Sequence, residues 1–286
     1  MSLTASAAVR PAATRIAITS GKGGVGKTSI SVNLAVAMSR LGHQVGLVDA
    51  DFALGNVDVF LGLAPEAHLG AVLSGTRSVA DVTINGPSGI RVIPAGSGVR
   101  TLTTLDAAKW SRLTQAMNEA GRELDFLLFD TAPGISDNVL DVIGLADYVV
   151  VVTSFEPAAV VDAYAVIKLI WAAAPSKAIG VLVNSARDAE EGNVVFRQIS
   201  TAAERFLHRS VRYDGYVLED RAFKESQHAQ IPVFESDSTS PASRCIRRLA
   251  CRLAASRPTS TGPWSSRSAA PLPLNLSAFS GEVPCA

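Results

Sequence analysis

The sequence predicts an α/β protein with a mainly parallel central β-sheet flanked by helices. Three observations lead there. Short apolar runs alternate with helix-period segments almost to the end of the chain, the pattern of strands joined by crossover helices. The run 148–152 is almost wholly β-branched, as a strand buried on both faces should be. A glycine-rich loop lies between the first apolar run and the first helical segment, where a sheet of this kind gathers its ligands, at the carboxyl ends of its strands.

Taken in order, residues 16–18 form a short buried strand. Ile30, Leu34, Ala37, Met38 and Leu41 then recur at helical spacing, and Gly42 ends that helix. Residues 44–48 are the next strand, closed by Asp49-Ala50-Asp51. A Gly- and Leu-rich connection covers 52–63, and short helices are expected over 69–84. Residues 90–94 are a third strand, 105–120 a helix, and 125–129 a strand ending at Asp130. The central strand 148–152 is followed by a helix over 158–173, a strand over 179–183 and a helix over 193–207. Residues 211–217 are a last strand, with short helices around 220–227 and 240–254. Residues 1–14, rich in Ala, Ser and Thr, read as a disordered leader. Residues 15–256 read as one domain and 257–286 as a Pro/Ser-rich tail without periodicity.

Composition narrows the function. The 286 residues include 48% hydrophobic side chains, enough for a sizeable core, and no run long enough to span a bilayer. The formal net charge is zero, which argues against direct nucleic-acid binding. Cys245, Cys251 and Cys285 all lie late in the chain and form no C-x-x-C pair, so a zinc site or disulfide framework is not expected and a cytoplasmic setting is. His43, His68, His208 and His228 are scattered and read as surface or helix-end residues.

The chemistry starts at the loop. Gly21, Gly26, Lys27 and Thr28 fit G-x-x-x-x-G-K-[ST], after a strand and before a helix, which is the context a phosphate-binding loop needs. Its glycines let successive N–H groups converge, and the helix start adds its positive end. Nucleotide binding is therefore expected over Gly21, Lys22, Gly23, Gly24, Val25, Gly26, Lys27, Thr28 and Ser29. Lys27 reaches the outer phosphates and Thr28 ligates magnesium. Lys22 is a second lysine that the local loop does not require. Asp49 and Asp51 are placed to hold the attacking water or the outer sphere of magnesium, or are simply turn aspartates. Asp130 begins Asp130-Thr131-Ala132-Pro133-Gly134, a Walker B arrangement, and is expected to hold magnesium through water; Gly134 could then sense the terminal phosphate. Asn184 could offer a donor and an acceptor to a purine edge. Arg244, Arg247, Arg248 and Arg252 flank an apolar stripe of Ile246, Leu249, Ala250 and Leu253. That helix is read as the last of the fold, docked by its stripe with the arginines solvated, ahead of a basic membrane-surface helix.

With those residues in view, the chain resembles the MinD/ParA ATPases, P-loop NTPases with a deviant Walker A loop. Gly21-Lys22-Gly23-Gly24-Val25-Gly26-Lys27-Thr28 matches that loop, Asp49-Ala50-Asp51 the second motif, and 130–134 the Walker B segment. Within the superfamily, stretches 49–63, 93–99 and 155–168 are most similar to the FlhG/FleN-type regulators of flagellar number and placement. The resemblance implies ATP and Mg2+ as cofactors and a slow, switch-type ATPase that dimerises with ATP. It implies that Lys22 and Lys27 act on phosphates, Lys22 across the dimer, that Asp51 positions the hydrolytic water, and that Thr28, Asp49 and Asp130 serve the metal. Asn184 would meet adenine, with 217–220, including Asp220, closing over the base. Implied partners are a second copy, a flagellar signal-recognition-type GTPase, a flagellar transcription activator or flagellar switch proteins, with visits to the inner membrane face or the cell pole. Two departures stand out. Residues 1–14 lack the Asp and Gln of the Asp-Gln-Ala motif that stimulates the partner GTPase, and prolines 258, 263, 271, 273 and 284 oppose a membrane-targeting helix after the last core helix. The alternative reading is a ParA- or MinD-type partitioning or division-positioning ATPase. A cluster-carrying relative would need cysteines in mid-chain, which this sequence lacks.

Overall fold

The computed structural model describes residues 12–96 and 105–256. Strands β1 (Thr14–Thr19), β2 (Val45–Ala50), β3 (Ile84–Asn85), β4 (Arg91–Ile93), β5 (Phe126–Thr131), β6 (Tyr148–Thr153), β7 (Ala178–Ala186) and β8 (Arg212–Leu218) form one sheet in the order β3-β4-β2-β5-β1-β6-β7-β8. Every pairing is parallel except β3 with β4. The expected α/β class with a mainly parallel sheet is the observed one.

Between the strands run α1 (Lys27–Arg40), α2 (Val57–Phe60), α3 (Leu69–Leu73), α4 (Val79–Val82), α5 (Ala107–Ala120), α6 (Asp137–Leu145), α7 (Pro157–Ala173), α8 (Ala189–Leu207), α9 (Arg221–His228), α10 (Val233–Ser236) and α11 (Pro241–Ala255). They cover both faces. Leu127, Phe129, Val149 and Val151 join a core with α3 to α8, while Phe126, Leu128, Val150 and Val152 join a second core with α1, α2 and α9 to α11. Alternate residues of one strand thus serve opposite cores, so the central strands must be apolar throughout.

Several boundaries differ from the expectation. The first described strand begins at Thr14, with Ala13 already buried, so these two residues of the stretch read as a leader belong to the fold. α6 was not expected; Val139, Leu140, Val142 and Ile143 bury one side of it, a stripe too short to separate from loop by periodicity. The edge strand β3 replaces the end of a predicted helix, because two residues carry no alternation to read. α8 starts at Ala189, four residues early. The Asp188 side chain accepts from the Glu191 N–H there, an N-cap that the Asp-x-x-Glu spacing would have signalled. β7 runs on to Ala186, which puts Asn184 inside a strand.

α11 docks as read: Ile246, Leu249, Ala250 and Leu253 are buried, while Arg244, Arg247, Arg248 and Arg252 face outward. His68 and His208 are helix-end residues, capping α3 and α8. Residues 1–11, 97–104 and 257–286, including the last three residues of the 93–99 stretch and the whole tail, lie outside the described residues. No described helix is long and apolar enough to cross a membrane.

Candidate functional site

The loop between β1 and α1 sits at the carboxyl edge of the sheet, with α1 behind it. Gly24 and Gly26 have φ of 82° and 87°, a region that glycine enters without strain. Gly21 is needed for space instead: a Cβ there would lie 2.4 Å from the Asp162 backbone on α7. Val25 is buried and anchors the loop. Gly26 caps α1 without any side-chain bond, so the first N–H groups of a 14-residue helix open towards the loop. A cleft of about 380 Å³ lies in front, lined by Gly23, Gly24, Gly26, Lys27, Thr28 and Ser29, and across from them by Asp51, Asn56, Phe60, Pro133 and Gln227. Its size suits a small ligand.

Behind the loop, one carboxylate collects the polar side chains. Asp130 is buried at the end of β5. The Lys27 ammonium donates to its Oδ1 at 3.2 Å, the Thr28 hydroxyl to Oδ2 at 2.7 Å, and the Ser31 hydroxyl to Oδ1 at 2.8 Å. Asp49 stands opposite it on β2, fully buried. Its oxygens accept from the N–H groups of Asp51 and Val57, both at 3.1 Å. Burial, and then repulsion from Asp130, push the Asp49 carboxyl up to about 7 against those two bonds. Two buried carboxyl groups in register beside a hydroxyl make a hard oxygen donor set, which fits magnesium. A bound divalent cation would supply the positive charge that lets both acids ionise.

The remaining predicted residues fall into two groups. Asp51 is half-buried on the cleft wall; its Oδ1 accepts from the N–H groups of Ala53 at 3.3 Å and Leu54 at 3.0 Å, so it also shapes the turn into the 52–63 connection. Lys22 lies at the rim, where its ammonium is paired with Glu156 at the start of α7. Gly134 bonds through its N–H to the Ser20 carbonyl at 2.8 Å, tying the segment after Asp130 to the loop.

Asn184 and Asp220 lie off the cleft wall. The Asn184 amide donates to the Val25 carbonyl at 2.8 Å, beneath the loop. One of its two amide N–H groups is therefore spent on the protein, while Oδ1 is buried without a partner. Asp220 gives one oxygen to the Ala222 N–H of α9 and the other to the Ala242 N–H of α11, both at 2.9 Å. It caps two helices. Sequence reasoning missed Ser31, Glu156, Asn56, Phe60 and Gln227. Only Ser31 left a trace, as a polar residue one turn after Lys27 in a helix otherwise apolar on that side.

The chain was compared with known proteins. The ParA family profile, described as NUBPL iron-transfer P-loop NTPase, matches residues 12–254. The antiactivator FleN of Pseudomonas aeruginosa is 39% identical over 235 residues, 82% of this chain and 84% of FleN. The flagellum site-determining protein YlxH of Helicobacter pylori is 38% identical over 156 residues, 54% of this chain and 52% of YlxH. The cell-division ATPase MinD of Pyrococcus furiosus shares the fold with a TM-score of 0.72 at 24% identity, covering 84% of this chain and 98% of MinD. The profile match over residues 12–254 and the 39% identity to FleN across 82% of the chain decide the lineage of the fold and its glycine loop: this chain belongs to the ParA/MinD family of P-loop ATPases.

Proposed function

We propose that the chain is an ATP-switched dimer that sets flagellar number or placement. The observation that carries the flagellar part is the 39% identity to FleN across 82% of the chain. The switch part rests on the cleft. The 21–29 loop would cradle the phosphates, Lys27 would turn from Asp130 to the outer phosphates, and Thr28, Asp49 and Asp130 would hold magnesium. Bound there, magnesium supplies charge neutralisation for the phosphates. Asp51 would orient the attacking water from the opposite wall. Asn184 would accept a hydrogen bond from the exocyclic amine of adenine. Asp220 acts on the nucleotide only indirectly, through the helices it caps.

Dimerisation is supported by what surrounds the cleft. Leu54, Val59, Ile135, Phe155 and Val161 are exposed large apolar residues; Leu54 lines the cleft, Val59 and Ile135 stand within two residues of its lining residues Phe60 and Pro133, and Phe155 is beside Glu156, the partner of Lys22. Such a rim favours a partner surface. Lys22 stands on this rim with its ammonium in an exposed ion pair with Glu156, so it can exchange that carboxylate for a partner's phosphates. Hydrolysis would be slow and would time the release of the dimer. A flagellar transcription activator, a flagellar signal-recognition-type GTPase or switch proteins are the partners proposed to read the dimer, in the cytoplasm or at the membrane face. The second reading, a division- or partition-positioning ATPase, is favoured by the fold match to MinD at a TM-score of 0.72. Deleting the gene in the source organism and counting flagella tests the choice. A changed number supports the first reading; normal flagella with misplaced septa or lost replicons support the second.

A further inference from the structure

Ser31 is fully buried in α1, one turn beyond Lys27. A buried hydroxyl needs a partner, and here two acceptors compete for its single proton. The Lys27 carbonyl lies at 3.1 Å, the back-bond a helical serine usually makes, and Asp130 Oδ1 lies at 2.8 Å. The bond to the Asp130 carboxylate is the shorter and the stronger of the two. One helix therefore holds Asp130 by both oxygens, Thr28 on Oδ2 and Ser31 on Oδ1. This fixes the plane of the carboxylate as well as its position.

Lys27 shares Oδ1 with Ser31. On the reading above, Lys27 leaves for the phosphates when nucleotide binds. Ser31 is then the side chain that still donates to Oδ1. We infer that Ser31 is a positioning residue: it keeps Asp130 aimed at the metal position beside Thr28 once Lys27 has gone to the nucleotide. It touches neither nucleotide nor metal, and its effect should appear only in what magnesium adds to binding.

This inference rests on the nucleotide and magnesium reading, and the experiment separates the two. ADP affinity is measured by calorimetry on the full chain, with magnesium and with EDTA, for the unaltered protein, Ser31→Ala and Ser31→Thr. The expected result is that Ser31→Ala binds ADP in EDTA within about twofold of the unaltered protein but loses about tenfold of the magnesium-dependent gain, the size of one hydrogen bond to a charged group. Ser31→Thr, which keeps the hydroxyl, should recover the gain. If the gain survives Ser31→Ala, or if affinity falls equally with and without magnesium, Ser31 is only a packing residue and the inference is overturned. A misfolded Ser31→Ala leaves the decision to Ser31→Thr, where loss of the gain in a folded protein overturns it equally. Absence of any magnesium gain in the unaltered chain overturns the magnesium reading, and this inference with it.

Discussion

Asp49 and Asp130 face each other on neighbouring parallel strands, both buried. Asp49, pushed up to about 7 from an ordinary 3.8, stays protonated in the native state over a pH range where the unfolded chain has lost the proton. The native state therefore binds more protons between those values. Stability should fall as pH rises through about 4 to about 7. Thermal melts of the nucleotide-free protein across that window should show this slope, and Asp49→Asn should flatten it. Magnesium with nucleotide should flatten it too. A pH-independent melting temperature in Asp49→Asn and parent alike would remove Asp49 as the source.

Lys27 is buried against Asp130. Lys27→Ala should abolish measurable nucleotide binding. It should also destabilise the empty protein, by about 3 kcal/mol or more, because a buried carboxylate loses its countercharge. Calorimetry with ADP and denaturant melts give the two readouts. Nucleotide affinity like that of the unaltered chain would show that the loop does not bind phosphate.

Asp51 has two duties that substitution can separate. Asp51→Asn keeps an oxygen for the turn at Ala53 and Leu54 and loses the negative charge. It should bind ATP normally, hydrolyse it roughly 100-fold more slowly, as expected for loss of a positioned general base, and accumulate an ATP-dependent dimer. Light scattering that finds only monomer with ATP counts against the switch. Asp51→Ala should add a loosened turn and a lower melting temperature.

The Lys22–Glu156 pair is exposed, and such pairs contribute about 1 kcal/mol or less. Glu156→Gln should therefore lower the ATP-dependent dimerisation threshold only modestly, by less than about fivefold. Lys22→Ala should bind ATP and stay monomeric. Normal dimerisation of Lys22→Ala in sedimentation would rule out a role across the interface.

Asp220→Ala removes two backbone caps, each worth about 1 kcal/mol, so the melting temperature should drop by roughly 4–8 °C for a domain of this size. Nucleotide affinity of the folded protein should stay within about twofold, less than one lost hydrogen bond would remove. A large affinity loss without destabilisation would return Asp220 to the nucleotide site.

What the sequence reveals depends on how locally each feature is encoded. The loop, Asp130 and the central strands are local: spacing and apolar runs suffice, and the structure brings Lys27, Thr28, Asp49 and Asp130 together at one sheet edge. The bonds from Asn184 to Val25 and from Ala242 to Asp220 were not legible because these partners are remote in sequence, and a side chain spent on a distant backbone group leaves no periodic trace. Glu156 was invisible as a partner of Lys22 for the same reason, since 134 positions separate the two. The short α6 and the two-residue β3 failed on length alone.

The sheet order has a consequence for how the chain is made. β1 is flanked by β5 and β6, so this strand has both edges bare until residues 126–153 have emerged from the ribosome. At roughly 5–20 residues per second that wait is on the order of ten seconds, with an apolar strand and the glycine loop unprotected throughout. Nascent chains stalled before β6 should be captured by holdase chaperones and digested by protease, and protection should appear sharply once β6 is available rather than grow with length.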